Sequence, residues 1–179
     1  EPFEVKTFFG DNLLSKEGRM MELHFKDFVL LNIYFPNGGS GEERLQYKLC
    51  FYDEFLKHIS GLVEQGKHVV FCGDVNTAHQ AIDLARPKEN EKVSGFLPIE
   101  RSWMDQLVEA GFVDTFRSAE PETVKYSWWD MKTRARERNV GWRIDYFFVD
   151  QAFLPRVRET EYLNDVPGSD HCPVLLKIG

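Results

Sequence analysis

His68-Val69-Val70-Phe71-Cys72-Gly73-Asp74-Val75-Asn76 is the stretch on which the reading of the fold turns. Val69 to Cys72 is short and continuously apolar, which predicts a strand buried on both faces. The run ends abruptly in Gly73 and two polar side chains, Asp74 and Asn76. If strand geometry persists, residues two apart emerge on one face. A carboxylate beside an amide suits a hard cation and a phosphate oxygen together. An Asx-type turn after Gly73 accounts for the same residues equally well.

Two other strand-like runs carry similar polar interruptions. Asp145 breaks Trp142-Arg143-Ile144-Asp145-Tyr146-Phe147-Phe148-Val149, and Ser169-Asp170-His171-Cys172-Pro173 stands directly before Val174-Leu175-Leu176-Lys177-Ile178. Unpartnered carboxylates beside a β-core lose hydration at high cost. Several converging from separate strands point to metal or phosphate chemistry. By alternation, Asp145 shares a sheet face with Arg143 and Phe147, opposite Trp142, Ile144 and Tyr146. A salt bridge to Arg143 is one partner for Asp145. His171 is a better one, because an Asp–His pair fixes the imidazole tautomer and raises its basicity. Tyr34 and Asn37 flank Pro36 at the end of a further strand, and core filling explains Tyr34 unless its hydroxyl reaches the same site. His24, His58, His68 and His79 carry no spacing signal and read as structural or surface groups.

Around these runs the pattern alternates but is strand-rich. Strands are expected over Phe3–Phe8, Arg19–Lys26 and Phe28–Phe35, the last two as a hairpin. A helix is expected over Glu42–Gln65, with Leu45, Leu49, Tyr52, Leu56, Ile59 and Val63 as its apolar stripe and Gly66 as its stop. Thr77–Phe96 loses periodicity and reads as a long surface connection. A helix follows from Pro98 to about Ala110, presenting Trp103, Leu107 and Ala110. Short strands are expected over Phe112–Phe116, Tyr126–Trp129, Trp142–Val149, Val157–Leu163 and Val174–Ile178. Close turns between the β elements favour mainly antiparallel sheets with helices outside.

At 179 residues the chain is expected to be one domain, and 42% hydrophobic residues can bury a substantial core. No apolar stretch reaches membrane-spanning length, so no membrane partner is expected. Three cysteines make no paired framework, and Cys72 and Cys172 read as buried reduced thiols; the expected location is a reducing intracellular compartment, cytoplasm, nucleoid or nucleus. The net charge of −7 argues against indiscriminate nucleic-acid binding. Between Lys125 and Arg143, however, six cations outnumber two acids, with Trp128, Trp129 and Trp142 beside them. A solvated loop explains the cations alone. With the tryptophans the mixture suits phosphates, bases and sugars.

Five motifs in order, from about Arg19 onward, resemble one family: Asn32-Ile-Tyr-Phe-Pro-Asn37; Gly73-Asp-Val-Asn-Thr-Ala-His79 with Ile82-Asp83-Leu84; Gly95-Phe-Leu-Pro98 with Glu100-Arg101; Asn139-Val-Gly-Trp-Arg-Ile-Asp-Tyr146; and Gly168-Ser-Asp-His171. They are similar to the exonuclease III class of apurinic/apyrimidinic endonucleases, within the endonuclease/exonuclease/phosphatase superfamily. The resemblance implies a four-layered α/β sandwich of two mainly antiparallel sheets flanked by helices. It implies Mg2+-dependent cleavage of the phosphodiester 5′ to an abasic site in double-stranded DNA, with Mn2+ as a substitute. It also implies 3′-exonuclease and 3′-phosphatase or diesterase activity on 3′-blocked ends.

By position, Asp74 would orient or deprotonate the attacking water and Asn76 would hold that water or a phosphate oxygen. His171, steadied by Asp145, would polarise the scissile phosphate. Asp74, Asn76 and Asp170 would serve the metal. Tyr34 and Asn37 would contact phosphate, with Tyr34 also a candidate catalytic phenol. Trp128, Trp142 and Ile144 match a pocket for the extruded abasic sugar, and Lys132 and Arg136 a loop entering the DNA stack. The family also has an early strand supplying an asparagine and a later one supplying a metal-binding glutamate. Nothing between Glu1 and Lys26 resembles either. The expectation is therefore the C-terminal portion of such a domain, with the upstream segment as a possible second chain, weak metal binding and little activity alone. Competing readings are a catalytically inactive nucleic-acid-binding or regulatory module of the same fold and a phosphoesterase for lipid or inositol phosphates.

Overall fold

The computed structural model describes residues 1–7 and 17–179. Among these residues ten strands are seen: β1 (Glu4–Lys6), β2 (Met20–His24), β3 (Val29–Ile33), β4 (Val69–Asp74), β5 (Phe112–Asp114), β6 (Trp128–Trp129), β7 (Gly141–Trp142), β8 (Asp145–Asp150), β9 (Val157–Tyr162) and β10 (Val174–Ile178). Four α-helices accompany them among the described residues: α1 (Glu42–Glu64), α2 (Pro87–Asn90), α3 (Pro98–Glu109) and α4 (Thr115–Ala119). The end of the first expected strand, Phe8, lies outside the described residues.

Six strands form one sheet in the order β1-β2-β3-β4-β8-β5. β2 and β3 make the expected antiparallel hairpin. β3 and β4 are parallel, because α1 carries the chain back across the sheet between them. All other pairings in this sheet are antiparallel. β9 and β10 form a second antiparallel pair, and β6 and β7 a third. The result is an α/β sandwich of mixed sheets flanked by helices.

Aromatic rings fill the layer between sheet and helices. Phe35 lies 5.0 Å from Phe55, 5.3 Å from Phe51 and 5.8 Å from Trp103 between ring centres. Tyr52 stacks on Trp103 at 4.0 Å, and Phe71 on Phe148 at 5.0 Å. Such contacts strengthen a core beyond simple area burial. On the other face Val70 and Val149 pack with Phe153 and, from β10, Leu176. Met21 and Val5, on β2 and β1, are exposed.

The core stripe of α1 is Lys48, Phe51, Tyr52, Phe55, Ile59 and Leu62. It is rotated from the expected stripe: Leu49 and Leu56 lie at its margin and Val63 is exposed. Phe51 and Phe55 decide the rotation, since they bury more surface than Leu45 or Val63 could. Trp103, Met104 and Leu107 are the buried face of α3, whereas Ala110 is exposed. The stretch from Thr77 to Phe96 is not a surface connection throughout. Thr77, Ala78, Asp83, Leu84 and Phe96 are buried, and its polar members are satisfied by charged partners inside the fold.

Glu22 faces α1 from β2 and is fully buried. His24 and His58 each approach one of its oxygens at 2.5 Å. Burial opposes its charge, but the bonds from His58 and His24 prevail and hold the carboxyl down at about 2. An acid with a depressed folded pKa adds stability above its unfolded value and loses it as pH falls through the folded value. Urea titrations should therefore show on the order of 3 kcal/mol of stability disappearing between about pH 4.5 and pH 2. Glu22→Gln should flatten that acid limb; an unchanged limb would show that the loss originates elsewhere.

Candidate active site

β4 and β8 end together, and their register sets Asp74 directly opposite Asp145. The close approach of β3 to β4 needs Gly73. Its φ is 132°, and a Cβ there would sit 1.9 Å from the Ile33 carbonyl oxygen. The strand then stops, and Asn76 adopts the left-handed φ of 55°. Asp74 Oδ1 accepts the Asn76 backbone N–H at 2.8 Å and Oδ2 accepts Asn76 Nδ2 at 2.9 Å. The Asx turn and the site are thus one structure: the turn aims Asn76 at Asp74. Asn76 Nδ2 also donates to the Phe35 carbonyl, and its Oδ1 accepts from Asn37 Nδ2, both at 3.0 Å.

Asp145 Oδ2 accepts from His171 Nδ1 at 2.8 Å, which places the ring proton on Nδ1 and leaves Nε2 for a ligand. Ser127 Oγ accepts the backbone N–H groups of Ile144 and Asp145 at 2.9 and 3.0 Å, holding the start of β8. His171 pairs with Trp128 across an isolated bridge. Trp128 Nε1 donates to Asp170 Oδ2 at 3.1 Å.

These groups surround a cavity of about 330 Å³. Tyr34, Asn37, Asp74, Asn76, Asp170 and His171 are its polar lining, and Trp128, Trp142 and Ile144 its apolar lining. Val93, Ser94 and Gly95 close it. Asp145 stands behind His171. Tyr34 is half exposed at the rim, with the Arg19 guanidinium 4.7 Å over its ring, so it is not core filler.

Two expected site residues lie elsewhere. Arg136 is spent inside its own domain: Nη1 donates to the Ser169 carbonyl at 3.0 Å, and Nη2 lies 2.7 Å from the carbonyls of Asn164 and Val166. Its guanidinium also covers Trp129. It clamps the loop that carries Asp170 and His171 rather than reaching outward. Lys132 is exposed on the neighbouring loop, outside the cavity. Nor does Arg143 share a face with Asp145. The chain kinks between β7 and β8, and Arg143 turns inward to Asp83 at 2.8 Å and Asp114 at 2.7 Å.

Sequence reading missed Ser127, Val93, Ser94 and Lys48, and took Gly95 and Glu100 only as members of a motif, with no role. Lys48 left a signal of its own, a cation in step with Tyr52, Phe55 and Ile59 on the buried stripe of α1.

Burial, and then the charge of Asp145, push the Asp74 carboxyl up to about 7. Burial works against the His171 charge, yet the bond from Asp145 and the neighbouring carboxylates raise its pKa. Trp128 and other donors overcome burial at Asp170 and keep it low. The site therefore combines a carboxyl that changes state near neutrality, an imidazole inclined to be charged, and a surplus of oxygen donors. Among the described residues no group of three or more His, Cys, Asp or Glu forms a ready metal cage.

Residues 2–171 match the endonuclease/exonuclease/phosphatase family, and the chain belongs to it. Within that family it stands with the exodeoxyribonuclease and AP endonuclease type. It is 42% identical to an exodeoxyribonuclease of Bacillus subtilis over 99% of its own length and 71% of that protein. It is 43% identical to the DNA repair nuclease APEX1 of Danio rerio over 98% of its length and 57% of that protein. An AP endonuclease structure from Archaeoglobus fulgidus superposes with a TM-score of 0.90 at 26% identity, covering 99% of this chain and 71% of that one.

Carboxylate-resolved NMR should find Asp74 titrating near pH 7. Because it holds its proton more tightly folded than unfolded, its ionisation removes stability as pH rises from about 3.8 to about 7. Asp145→Asn should bring the midpoint down, yet leave it above 3.8 because burial persists. A midpoint unmoved by that substitution would contradict the electrostatic link between the two.

Proposed function

We propose that this chain carries the reaction centre of a DNA-repair nuclease that hydrolyses the phosphodiester 5′ to an abasic site in duplex DNA. The observation that carries the reading is the Asp145–His171 pair beside Asp74 and Asn76, at a cavity that Trp128, Trp142 and Ile144 also line. Phosphate chemistry and an apolar seat for a base-free sugar lie within one small space. Loss of the base leaves little stacking to break when the nucleotide is extruded. A pure binding module has no use for that polar set, and the tryptophan wall with exposed Lys132 beside it fits DNA better than an inositol ring. The same site would act on 3′-blocked ends.

Asp74 accepts a proton from the attacking water, a role suited to a carboxyl titrating near 7. The water oxygen bonds to phosphorus, the bond to the leaving ester oxygen breaks, that oxygen takes a proton from solvent water, and Asp74 returns its proton to solvent. Protonated His171, held by Asp145, faces the charge on the phosphate. The amides of Asn76 and Asn37 and the Tyr34 phenol orient its oxygens. Asp74, Asn76 and Asp170 are the residues that would hold Mg2+, or Mn2+ in its place. The fit rests on an all-oxygen donor set and a carboxyl that burial and the charge of Asp145 keep titrating near neutral pH. Mg2+ keeps several waters and needs no closed protein cage; when bound it would neutralise charge on the phosphate. The free cysteines Cys50, Cys72 and Cys172 fit a reducing intracellular setting, and no described helix is long and apolar enough to cross a membrane.

Duplex oligonucleotides bearing one tetrahydrofuran abasic analogue should be cut 5′ to the lesion with Mg2+ and left intact with chelator. Asp74→Asn should slow single-turnover cleavage by about 10²–10⁴-fold. Lesion duplex left uncut by the full-length protein with Mg2+ present would refute the assignment.

Lys132→Ala should reduce the salt slope of DNA binding by about 0.9. Arg136→Ala should instead lower the melting temperature, since it unties three carbonyls. A reversal of these two outcomes would return Arg136 to the DNA.

A further inference from the structure

We propose that Lys48 is a positioning residue for the reaction: its ammonium, held by Glu100, locks Asn76 to the Ser94–Gly95 wall of the cavity. The inference rests on the nuclease reading above and extends it to a residue that touches no substrate.

Both side chains are fully buried, and Lys48 Nζ lies 2.6 Å from Glu100 Oε1. The other two donors of the ammonium go to the Asn76 carbonyl at 2.8 Å and Thr77 Oγ1 at 2.9 Å. All three protons therefore have acceptors. Glu100 is equally engaged. Its Oε1 also accepts from Ser94 Oγ at 2.9 Å, and Oε2 accepts the backbone N–H groups of Gly95 at 2.6 Å and Leu97 at 3.0 Å. One charge pair thus ties α1, the turn that aims Asn76, the cavity wall and the start of α3.

Wall and turn are in contact as well as tethered. Gly95 has φ +100°, and a Cβ there would lie 3.3 Å from both the Asn76 carbonyl oxygen and the Trp142 ring. Ala78 N–H donates to the Gly95 carbonyl at 2.8 Å. A shift of the wall would therefore move Asn76 and Trp142 together.

Stability gives no reason for a charge pair in this place. Well-packed apolar residues of similar volume usually serve a core as well as a buried ion pair, or better. What apolar side chains lack is direction. The ammonium grips the carbonyl of a residue held in left-handed conformation, and nothing apolar could fix that carbonyl.

The test is the double variant Lys48→Met/Glu100→Gln in the full chain. The amide carbonyl introduced at position 100 can still accept the N–H groups of Gly95 and Leu97. The thioether introduced at position 48 releases Asn76, and the pair leaves no uncompensated charge. We expect a melting temperature lowered by no more than a few degrees, affinity for the tetrahydrofuran-containing duplex within about twofold, and single-turnover cleavage at saturating protein reduced about 30- to 100-fold. The Asn76 side-chain amide resonances should shift and exchange faster. A folded double variant that cleaves at the wild-type rate, or loses affinity in step with rate, would overturn the proposal.

If wild-type protein does not cleave the duplex, the nuclease reading fails by itself and the Asn76 resonances still decide the positioning claim. If the double variant does not fold, Thr77→Val decides: it removes one acceptor of the ammonium and keeps volume. A several-fold loss of rate without loss of affinity supports the proposal, and an unchanged rate overturns it.

Discussion

Asp74 faces Asp145 across β4 and β8, and most of the site follows from that opposition. Two like charges at the end of a buried sheet cannot both stand ionised without compensation. Asp145 finds it in His171. Asp74 is buried and has only neutral donors from Asn76, so burial and then the charge of Asp145 leave it holding a proton near neutrality. The asymmetry assigns the roles. One carboxylate supports an imidazole, and the other is left free to exchange a proton or accept a cation. Gly73 makes the opposition possible by letting β3 and β4 close without a side chain between them.

Behind this front the fold buries two further sets of charge. Arg143, with Asp83, Asp114 and Arg117, lies beneath the turn into β8. Lys48 and Glu100 lie beneath the turn out of β4. Each set is fully or almost fully buried, and each supports an irregular segment that no ladder of strand hydrogen bonds could hold. The Arg143 set pins the kink between β7 and β8, where the backbone N–H of Arg143 donates to the Asp83 carbonyl at 2.7 Å. Tyr162, itself beside Arg143, donates to the Asp145 carbonyl at 2.6 Å. Irregular backbone at a site demands polar anchors because its own N–H and C=O groups have no regular partners.

The regular elements could be read from the chain because periodicity reports burial. The β2–β3 hairpin, the limits of α1 and α3, and β10 fall within a residue or two of expectation. Three site segments were also recognisable, since Asp74, Asn76, Asp145, Asp170 and His171 interrupt apolar runs where a polar group is costly. Arg136 misled because a cation among aromatics looks the same whether it meets phosphate or backbone carbonyls. Thr77–Phe96 misled because its buried residues satisfy one another through long-range partners that periodicity cannot register. The stripe of α1 was misplaced through Phe51 and Phe55, whose size outweighs the smaller residues at equally regular spacing.

By itself, then, the sequence determined the longer strands and helices, which polar residues stand at strand ends, and the family to which the chain belongs. Those are local properties, set by side-chain size, polarity and spacing along one segment. Only the tertiary structure decided that Asp145 takes His171 and not Arg143, that Arg136 clamps its own loop, and that Lys48 reaches Asn76 and Glu100. Each of these is a choice among several partners of suitable charge. It is settled by which carbonyl or carboxylate comes within about 3 Å once the sheet has formed, and no pattern along the chain contains that distance.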